Sequence, residues 1–376
     1  MLFDRSETGL ESLAASLLGT ANIRIGGNRP WDLCIHDKGF YQRVLRHGSL
    51  GLGESYVDGW WDAEHLDEFF ERLLAAKLDE KVRSRWIDLW QKSESMLLNR
   101  QGRSRAADNS IQHYDRGSVL YQAMLDSRMV YSCGYWKNAS SLEQAQEAKL
   151  DLICRKLQLT PRMRVLDIGC GWGGLARYAA ESYQVNVTGI TISPQQCEFA
   201  RQACKGLPVD IRLMDYRELT GTYDRVVSVG MFEHVGSKNH RTYMEVVSRC
   251  LSPEGLLLLH SIGASETSDF IDPWIDKYIF PGAVLPSIKQ IGASAENLLV
   301  MEDWHSFGPD YDRTLMAWFE NFDRSWPELC VHFDDRFYRT WKYYLLSCAA
   351  TFRVRKNQLW QIVFSKGRRG VYTACR

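Results

Sequence analysis

Val165-Leu166-Asp167-Ile168-Gly169-Cys170-Gly171-Trp172-Gly173-Gly174 decides how this chain folds. The opening apolar residues have the length of a buried strand. The glycines that follow let the backbone turn sharply and approach a ligand closely. A helix is expected to begin near Gly173, and its unpaired N–H groups would favour an anion. A dinucleotide fingerprint needs G-x-G-x-x-G with an acid about 20 positions on to hold a ribose. Here the spacing is G-x-G-x-G-G, Asp167 stands two residues before the first glycine, and the next apolar run ends in Gly189-Ile190-Thr191-Ile192-Ser193 without a carboxylate. Both departures argue against a nicotinamide dinucleotide.

Outward from that turn, short β-rich runs alternate with helical segments: Arg164 to Ile168, Val185 to Ile192, Val209 to Met214, Arg225 to Val229 and Gly255 to His260. Such alternation predicts a parallel sheet with crossover helices. Leu298 to Trp304 and Leu359 to Ser365 are expected to add edge strands, and Asp312 to Val354 reads as a long aromatic helical stretch. Toward the N-terminus, Leu66, Phe69, Phe70, Leu73 and Leu74 form one helical stripe. From Lys77 on, Lys81, Arg83, Arg85 and Lys92 stand beside Trp86 and Trp90, a composition suited to an anionic lipid surface or to a solvated helix. The polar run 101–110 (QGRSRAADNS) predicts a linker. The expected organisation is therefore α/β, with a smaller, mainly helical domain over 1–100 and a catalytic domain over 111–376.

The 376 residues carry 46 Lys plus Arg against 46 Asp plus Glu, a formal net charge of 0. The pI near 7.1 is far from the basic value above about 9 that marks nucleic-acid binding, so no nucleic-acid partner is expected. The ten cysteines (34, 133, 154, 170, 197, 204, 250, 330, 348 and 375) include no C-x-x-C pair and no cluster at metal spacing. They read as free thiols in a reducing cytosol, and no metal is expected. The N-terminus lacks a secretory pattern, and the longest apolar run is far short of the ~20 residues of a membrane span. The 13 Trp, 17 Tyr and 15 Phe are spread along the whole chain and read for the most part as core packing, while the stretch from Asp312 to Val354 is larger than a bare nucleotide-binding sheet requires.

An acid two residues before the first glycine is a feature of many S-adenosylmethionine methyltransferases. The other motifs narrow the reading: SLGLGESYVDGWW (Ser49–Trp61), HYD (His113–Asp115), YSCGYW (Tyr131–Trp136), SVGMFEHVG (Ser228–Gly236), LLLHSIG (Leu257–Gly263), DPWIDKYIFPG (Asp272–Gly282) and MEDWHSFGPDYDRTLMAW (Met301–Trp318). With the glycine turn and GITIS (Gly189–Ser193), they closely resemble the cyclopropane-fatty-acyl-phospholipid synthases and, less completely, the mycolic acid cyclopropane synthases. The resemblance implies a class I, Rossmann-like methyltransferase domain. It places Tyr131, Ser132, Asp167, Gly169, Gly171, Gly173, Thr191, Gln196, Tyr216 and Arg217 around S-adenosylmethionine. It further implies an unsaturated membrane phospholipid as substrate, a homodimer, and a cytoplasmic protein held peripherally at the inner membrane face.

In the resembled family the π electrons of a cis alkene attack the sulfonium methyl, leaving a carbocation from which a base removes a proton as the ring closes. Aromatic faces stabilise such a cation by ~0.5–2 kcal/mol each. The base is a bound bicarbonate, and the resemblance maps its ligands to Cys133, Glu233, His260, Ile262 and Tyr311. Thiol, imidazole, phenol and N–H donors suit a small oxyanion, and a carboxylate can orient it or take its proton. Each residue also has a plainer reading: Glu233 as a loop carboxylate, His260 as a hydrogen-bonded core histidine, Cys133 as a small buried hydrophobe. Cys348, in YYLLSCAATF, matches a family segment as well, but its apolar helical setting favours packing over a covalent role. His113, Tyr114 and Asp115 are expected to shape a pocket. Two alternatives stay open: a lipid or amine methyltransferase that does not close a ring, and a non-catalytic lipid-binding protein.

Overall fold

The computed structural model describes residues 7–79, 117–367 and 370–376. Their contacts form two units. One joins the described residues of Met1–Leu98 with Phe270–Pro281 and Leu315–Lys356; the other holds those of Asn99–Asp269, Gly282–Thr314 and Asn357–Arg376. Two segments late in the chain thus pack with the N-terminal helices, a grouping that no local pattern announces. The basic stretch with Trp86 and Trp90, the linker at 101–110 and His113 to Asp115 lie outside the described residues.

The first unit contains helices Glu7–Thr20, Gly39–Val57 and Leu66–Ala75 and a two-residue antiparallel ribbon, β1 (Cys34–Ile35) with β2 (Trp61–Asp62). Leu66, Phe69 and Phe70 of the expected stripe are buried, and Leu73 and Leu74 are half-buried. The long aromatic stretch is two helices, Pro309–Leu329 and Asp335–Arg353. Asp334 starts the second by accepting the Phe337 N–H at 2.8 Å, which satisfies one of the free N–H groups at a helix start. Arg353 closes this helix onto Leu66–Ala75 through Asp67 (2.9 Å) and Glu71 (3.1 Å). Tyr56, Trp61, Phe69, Phe70, Trp274 and Tyr343 meet ring to ring at 4.4 to 5.5 Å. Core packing thus accounts for much of this unit's aromatic content.

The second unit is built on a seven-stranded sheet of order β5-β4-β3-β6-β7-β9-β8. Its strands are β3 (Arg164–Ile168), β4 (Asn186–Thr191), β5 (Val209–Leu213), β6 (Tyr223–Val229), β7 (Leu251–Ala264), β8 (Val300–Ser306) and β9 (Asn357–Ser365). The first five pair in parallel, while β9 runs antiparallel to both β7 and β8. Helices Gly174–Tyr183, Pro194–Ala203 and His240–Cys250 make the crossovers. The leucines of β7 alternate between the two faces. Leu256 and Leu258 join the core with Val165 and Val227, and Leu257 and Leu259 join the core with Leu166 and Ile168, as the two-residue period of a strand requires.

One expectation is corrected here. β9 is an inner strand between β7 and β8, and of these two later strands β8 alone lies at an edge of the sheet. Every residue from Leu359 to Ser365 is buried, because β9 pairs along β7 from Leu256↔Ser365 to Ala264↔Asn357 and along β8 on its other side. The strand order reverses at β3, and in open α/β sheets ligands bind beyond the carboxyl ends of the strands at such a reversal.

Candidate active site

Asp167 lies near the carboxyl end of β3, 2% exposed, and the glycine turn follows. Gly169 has φ +82°, and a Cβ there would sit 2.8 Å from the Met231 Cβ, so neither handedness nor space admits a side chain. Gly171 also has a positive φ, +53°, but a Cβ there would meet no described atom within 4 Å. The turn is thus closed against the protein at Gly169 and open at Gly171. Gly173 forms the N-cap of helix Gly174–Tyr183. At the end of β4, Thr191 donates to the Gln196 side-chain oxygen (2.9 Å) and accepts the Ser193 N–H (3.2 Å). After β5, Asp215 accepts the Arg217 N–H and binds its guanidinium at 2.9 Å, and Tyr216 beside it is buried. Three successive strand ends therefore carry the expected cofactor residues.

The remaining cofactor residues, Tyr131 and Ser132, lie on a segment folded by polar contacts. The Asp126 carboxylate accepts the N–H groups of Arg128 (3.0 Å) and Val130 (2.9 Å). From helix Leu142–Lys156, the Gln146 amide donates to the Ser132 carbonyl and the Lys149 ammonium to the Ser132 hydroxyl, both at 2.8 Å. Three residues apart, Gln146 and Lys149 share a helix face. Cys133 follows, fully buried, its thiol donating to the Gly134 carbonyl at 3.1 Å.

Thr314 ties this segment to the start of helix Pro309–Leu329. Its hydroxyl donates to the Asp310 carbonyl (2.8 Å), accepts the Gly134 N–H (3.0 Å) and the Trp136 indole N–H (2.9 Å), and lies 3.8 Å from the Cys133 sulfur. The Asp310 carboxylate accepts the Trp136 N–H at 2.7 Å. Tyr311 stands between Asp310 and Thr314 in the same helical turn, its N–H bonded to the Gly308 carbonyl at 3.0 Å.

Glu233 follows β6 on a single 3-10 turn, Phe232–His234. Its Oε1 accepts the Ile262 N–H at 2.7 Å. Ile262 thus enters the site through Glu233, by fixing which carboxylate oxygen is left open. His260, two residues earlier on β7 and so on the same face, is 1% exposed and receives the Gln361 amide at Nδ1, 3.3 Å away. Glu233 Oε2, His260 Nε2 and Asp167 Oδ2 are buried without a partner among the described residues. The Phe307 ring stands 5.9 Å from His260 and 5.3 Å from Tyr135, bridging β7 to the Cys133 segment.

Burial sets the protonation states. It pushes Glu233 up to about 7, eased by the Ile262 N–H, and Asp167 up to about 7 against the pull of Lys149. Burial likewise brings Lys149 down to about 8. The Cys133 thiol is driven well above its ordinary value, chiefly by burial, so at neutral pH it is a hydrogen-bond donor and not a nucleophile. His260 is driven well below, by burial and then by Lys149 and Lys156, and its ring is neutral. Cys133 and His260 are thus neutral and Glu233 is a carboxyl poised near neutrality, charge states that suit proton transfer at physiological pH.

The sequence and the fold are matched by known proteins. The mycolic acid cyclopropane synthetase family matches residues 101–362. The chain belongs to that family. Among the relatives of the synthetase family, the cyclopropane-fatty-acyl-phospholipid synthase of Escherichia coli (strain K12) is 53% identical over 355 residues, 94% of this chain and 93% of that protein. A probable fatty acid methyltransferase of Pseudomonas putida is 39% identical, over 86% of this chain and 84% of that one. The crystal structure of mycolic acid cyclopropane synthase CmaA1 complexed with SAH and CTAB superposes with a TM-score of 0.65 at 30% identity, over 69% of this chain and 98% of that one. The class I methyltransferase fold of the second unit is that of the synthetase family.

Sequence reading gave no role to Lys149, Thr314, Asp310 or Gln361. Only Lys149 left a local signal, a lysine inside an otherwise core-facing helical pattern; the others act across the fold. Cys348 lies in the first unit on helix Asp335–Arg353, and burial, then Asp272, raises its thiol to about 12. It is a protonated thiol at neutral pH.

Proposed function

We propose that this chain transfers the methyl carbon of S-adenosylmethionine to the cis double bond of an unsaturated phospholipid acyl chain and closes a cyclopropane ring there. The observation that carries the reading is the pair of buried polar atoms without partners among the described residues, Glu233 Oε2 and His260 Nε2, after β6 and on β7 in the sheet whose β3 leads into the glycine turn. Buried polar groups are rarely left unpaired unless a site receives something. A small oxyanion able to accept from an imidazole N–H and to share a proton with a carboxyl fits both atoms. The open side of Gly171 and the unpaired Asp167 oxygen fit a methyl donor in the adjoining turn.

Tyr131, Ser132, Asp167, Gly169, Gly171, Gly173, Thr191, Gln196, Tyr216 and Arg217 would hold the methyl donor, and Cys133, Glu233, His260, Ile262 and Tyr311 would hold bicarbonate. When bound, S-adenosylmethionine supplies an electrophilic methyl carbon and bicarbonate supplies the base. The chain arranges the rest. The burial of Cys133, Glu233 and His260 excludes water that would trap a cationic lipid. The protonated thiol does not compete as a nucleophile, the neutral imidazole can donate, and Glu233, near 7, can hold or release a proton at Oε2 beside the base. The homodimer and the peripheral contact with the inner membrane face belong to the same proposal; the homodimer rests on the resemblance alone, the membrane contact also on the basic stretch with Trp86 and Trp90, and the division near residue 100 on the change of sequence pattern and the polar run 101–110.

Vesicles of mono-unsaturated phospholipid incubated with the chain and S-adenosylmethionine test the reading by lipid mass spectrometry. The expected product gains one CH2 and loses its alkene signal. A methyl-branched chain that keeps the alkene, or gains two further hydrogens, would replace ring closure by simple methylation, and absence of any lipid product would overturn the enzymatic reading.

A further inference from the structure

β9 reads Leu359-Trp360-Gln361-Ile362-Val363-Phe364, and within this apolar run Gln361 is fully buried. An amide in such surroundings calls for a partner. Gln361 stands directly opposite His260 in the β7–β9 register and opposite His305 in the β8–β9 register, and its side-chain nitrogen lies 3.3 Å from His260 Nδ1. We propose that Gln361 is a positioning residue that holds His260 in the tautomer with its hydrogen on Nε2, the form that donates to a small oxyanion. The inference rests on the reading of His260 as part of the anion site.

An amide nitrogen offers only donors, and a neutral imidazole has one donor and one acceptor nitrogen. With Nδ1 accepting from Gln361, the ring hydrogen must be on Nε2, the atom that is buried without a partner among the described residues. Were the amide reversed, Nδ1 would donate to its oxygen, and Nε2 would turn a lone pair toward an anion, which repels it. Because the surroundings keep the ring neutral, the tautomer, and not the charge, decides whether His260 can hold the anion. The hydrogen bond made by one imidazole nitrogen commonly sets the role of the other. The Gln361 side-chain oxygen is itself buried without a partner among the described residues, so the orientation of the amide is what a measurement of the tautomer decides.

The test is a two-bond 1H–15N correlation of the full-length chain labelled with 15N-histidine, with the His260 signals assigned by their loss in His260→Gln. The wild type should show the hydrogen on Nε2. Gln361→Glu, similar in size but an acceptor, should move it to Nδ1 and lower turnover on the order of 10²-fold. Gln361→Leu, which removes the donor, should give a mixture of tautomers and a loss of about tenfold. Affinity for S-adenosylmethionine should change little in either variant. A wild-type hydrogen on Nδ1, or a tautomer unchanged in either variant, would overturn the proposal. A wild-type hydrogen on Nδ1 overturns the proposal even if a variant fails to fold. The tautomer is read without turnover, so dependence of the wild-type rate on bicarbonate tests the anion reading separately.

Discussion

The glycine turn after β3 and the polar set around Glu233 share one sheet edge, yet they are built from different materials. The turn is ten contiguous residues whose function lies in backbone shape, in positive φ angles and a missing Cβ. The polar set draws Cys133, Glu233, His260 and Tyr311 from four separate segments, held by Gln146, Lys149, Thr314 and Gln361. What it offers is side-chain charge state, produced by burial. The turn should therefore tolerate changes of charge nearby and reject added volume, while the polar set should tolerate isosteric change in shape and reject changed proton bookkeeping.

The largest expected effect tests the second half of that contrast. Glu233→Gln keeps size but replaces the carboxyl that would position the base by an amide, and turnover should fall by at least ~10²-fold within the ~10²–10⁴ range of general-base contributions, with affinity for S-adenosylmethionine little changed. The same change should stabilise the fold at alkaline pH. Glu233 has its pKa raised in the fold from 4.5 to about 7, so its contribution to stability is fully present below about 4.5 and is lost as pH rises through about 7. At pH 8 the wild type carries a penalty of roughly 3 kcal/mol that glutamine lacks. A thermal or urea melt at pH 5 and pH 8 reads the difference. An inactive variant that is also less stable at pH 8 would mean that Glu233 serves the fold.

The next effect tests the turn. Gly171→Val should weaken binding of S-adenosylmethionine by tenfold or more, about 1.4 kcal/mol or above, because the side chain enters the open side of the turn. Gly169→Ala adds a collision with Met231 to the handedness cost of about 1–2 kcal/mol and should lower the melting temperature more than Gly171→Ala does. Calorimetric titration and melts separate the two; equal stability losses at both positions would erase the distinction between a closed and an open face.

Smaller changes are expected where the set is only held together. Thr314→Val leaves the Gly134 N–H and the Trp136 indole N–H without their acceptor, at a cost of about 1–3 kcal/mol, measurable by denaturant titration. Turnover should drop through the displaced Cys133 segment without loss of cofactor affinity. Least of all, Cys348→Ala should leave turnover nearly unchanged, since the thiol is protonated at neutral pH. A large loss there would place Cys348 in the chemistry.

The comparison also explains what could be read from the chain before its fold was known. The sheet was legible because β3 to β7 are local apolar runs, and the turn because its glycines are adjacent. The insertion of β9 between β7 and β8 was not, since a buried antiparallel strand and an edge strand look alike over nine residues. Cys133, Glu233, His260 and Tyr311 were named through motif resemblance, and the residues around them show why composition alone could not find them. Thr314 meets Gly134 across 180 positions, and Gln361 meets His260 across 101. Such pairs leave no periodic trace.

The central claim is that burial at this edge prepares a site for a small oxyanion that serves as base. The most direct measurement is the initial rate of cyclopropane formation on unsaturated phospholipid vesicles in carbonate-depleted buffer, with and without added bicarbonate, for the wild type and Glu233→Gln. The wild-type rate should fall on depletion and return with bicarbonate, while Glu233→Gln should stay slow in both. A wild-type rate that is the same with and without bicarbonate would contradict the account.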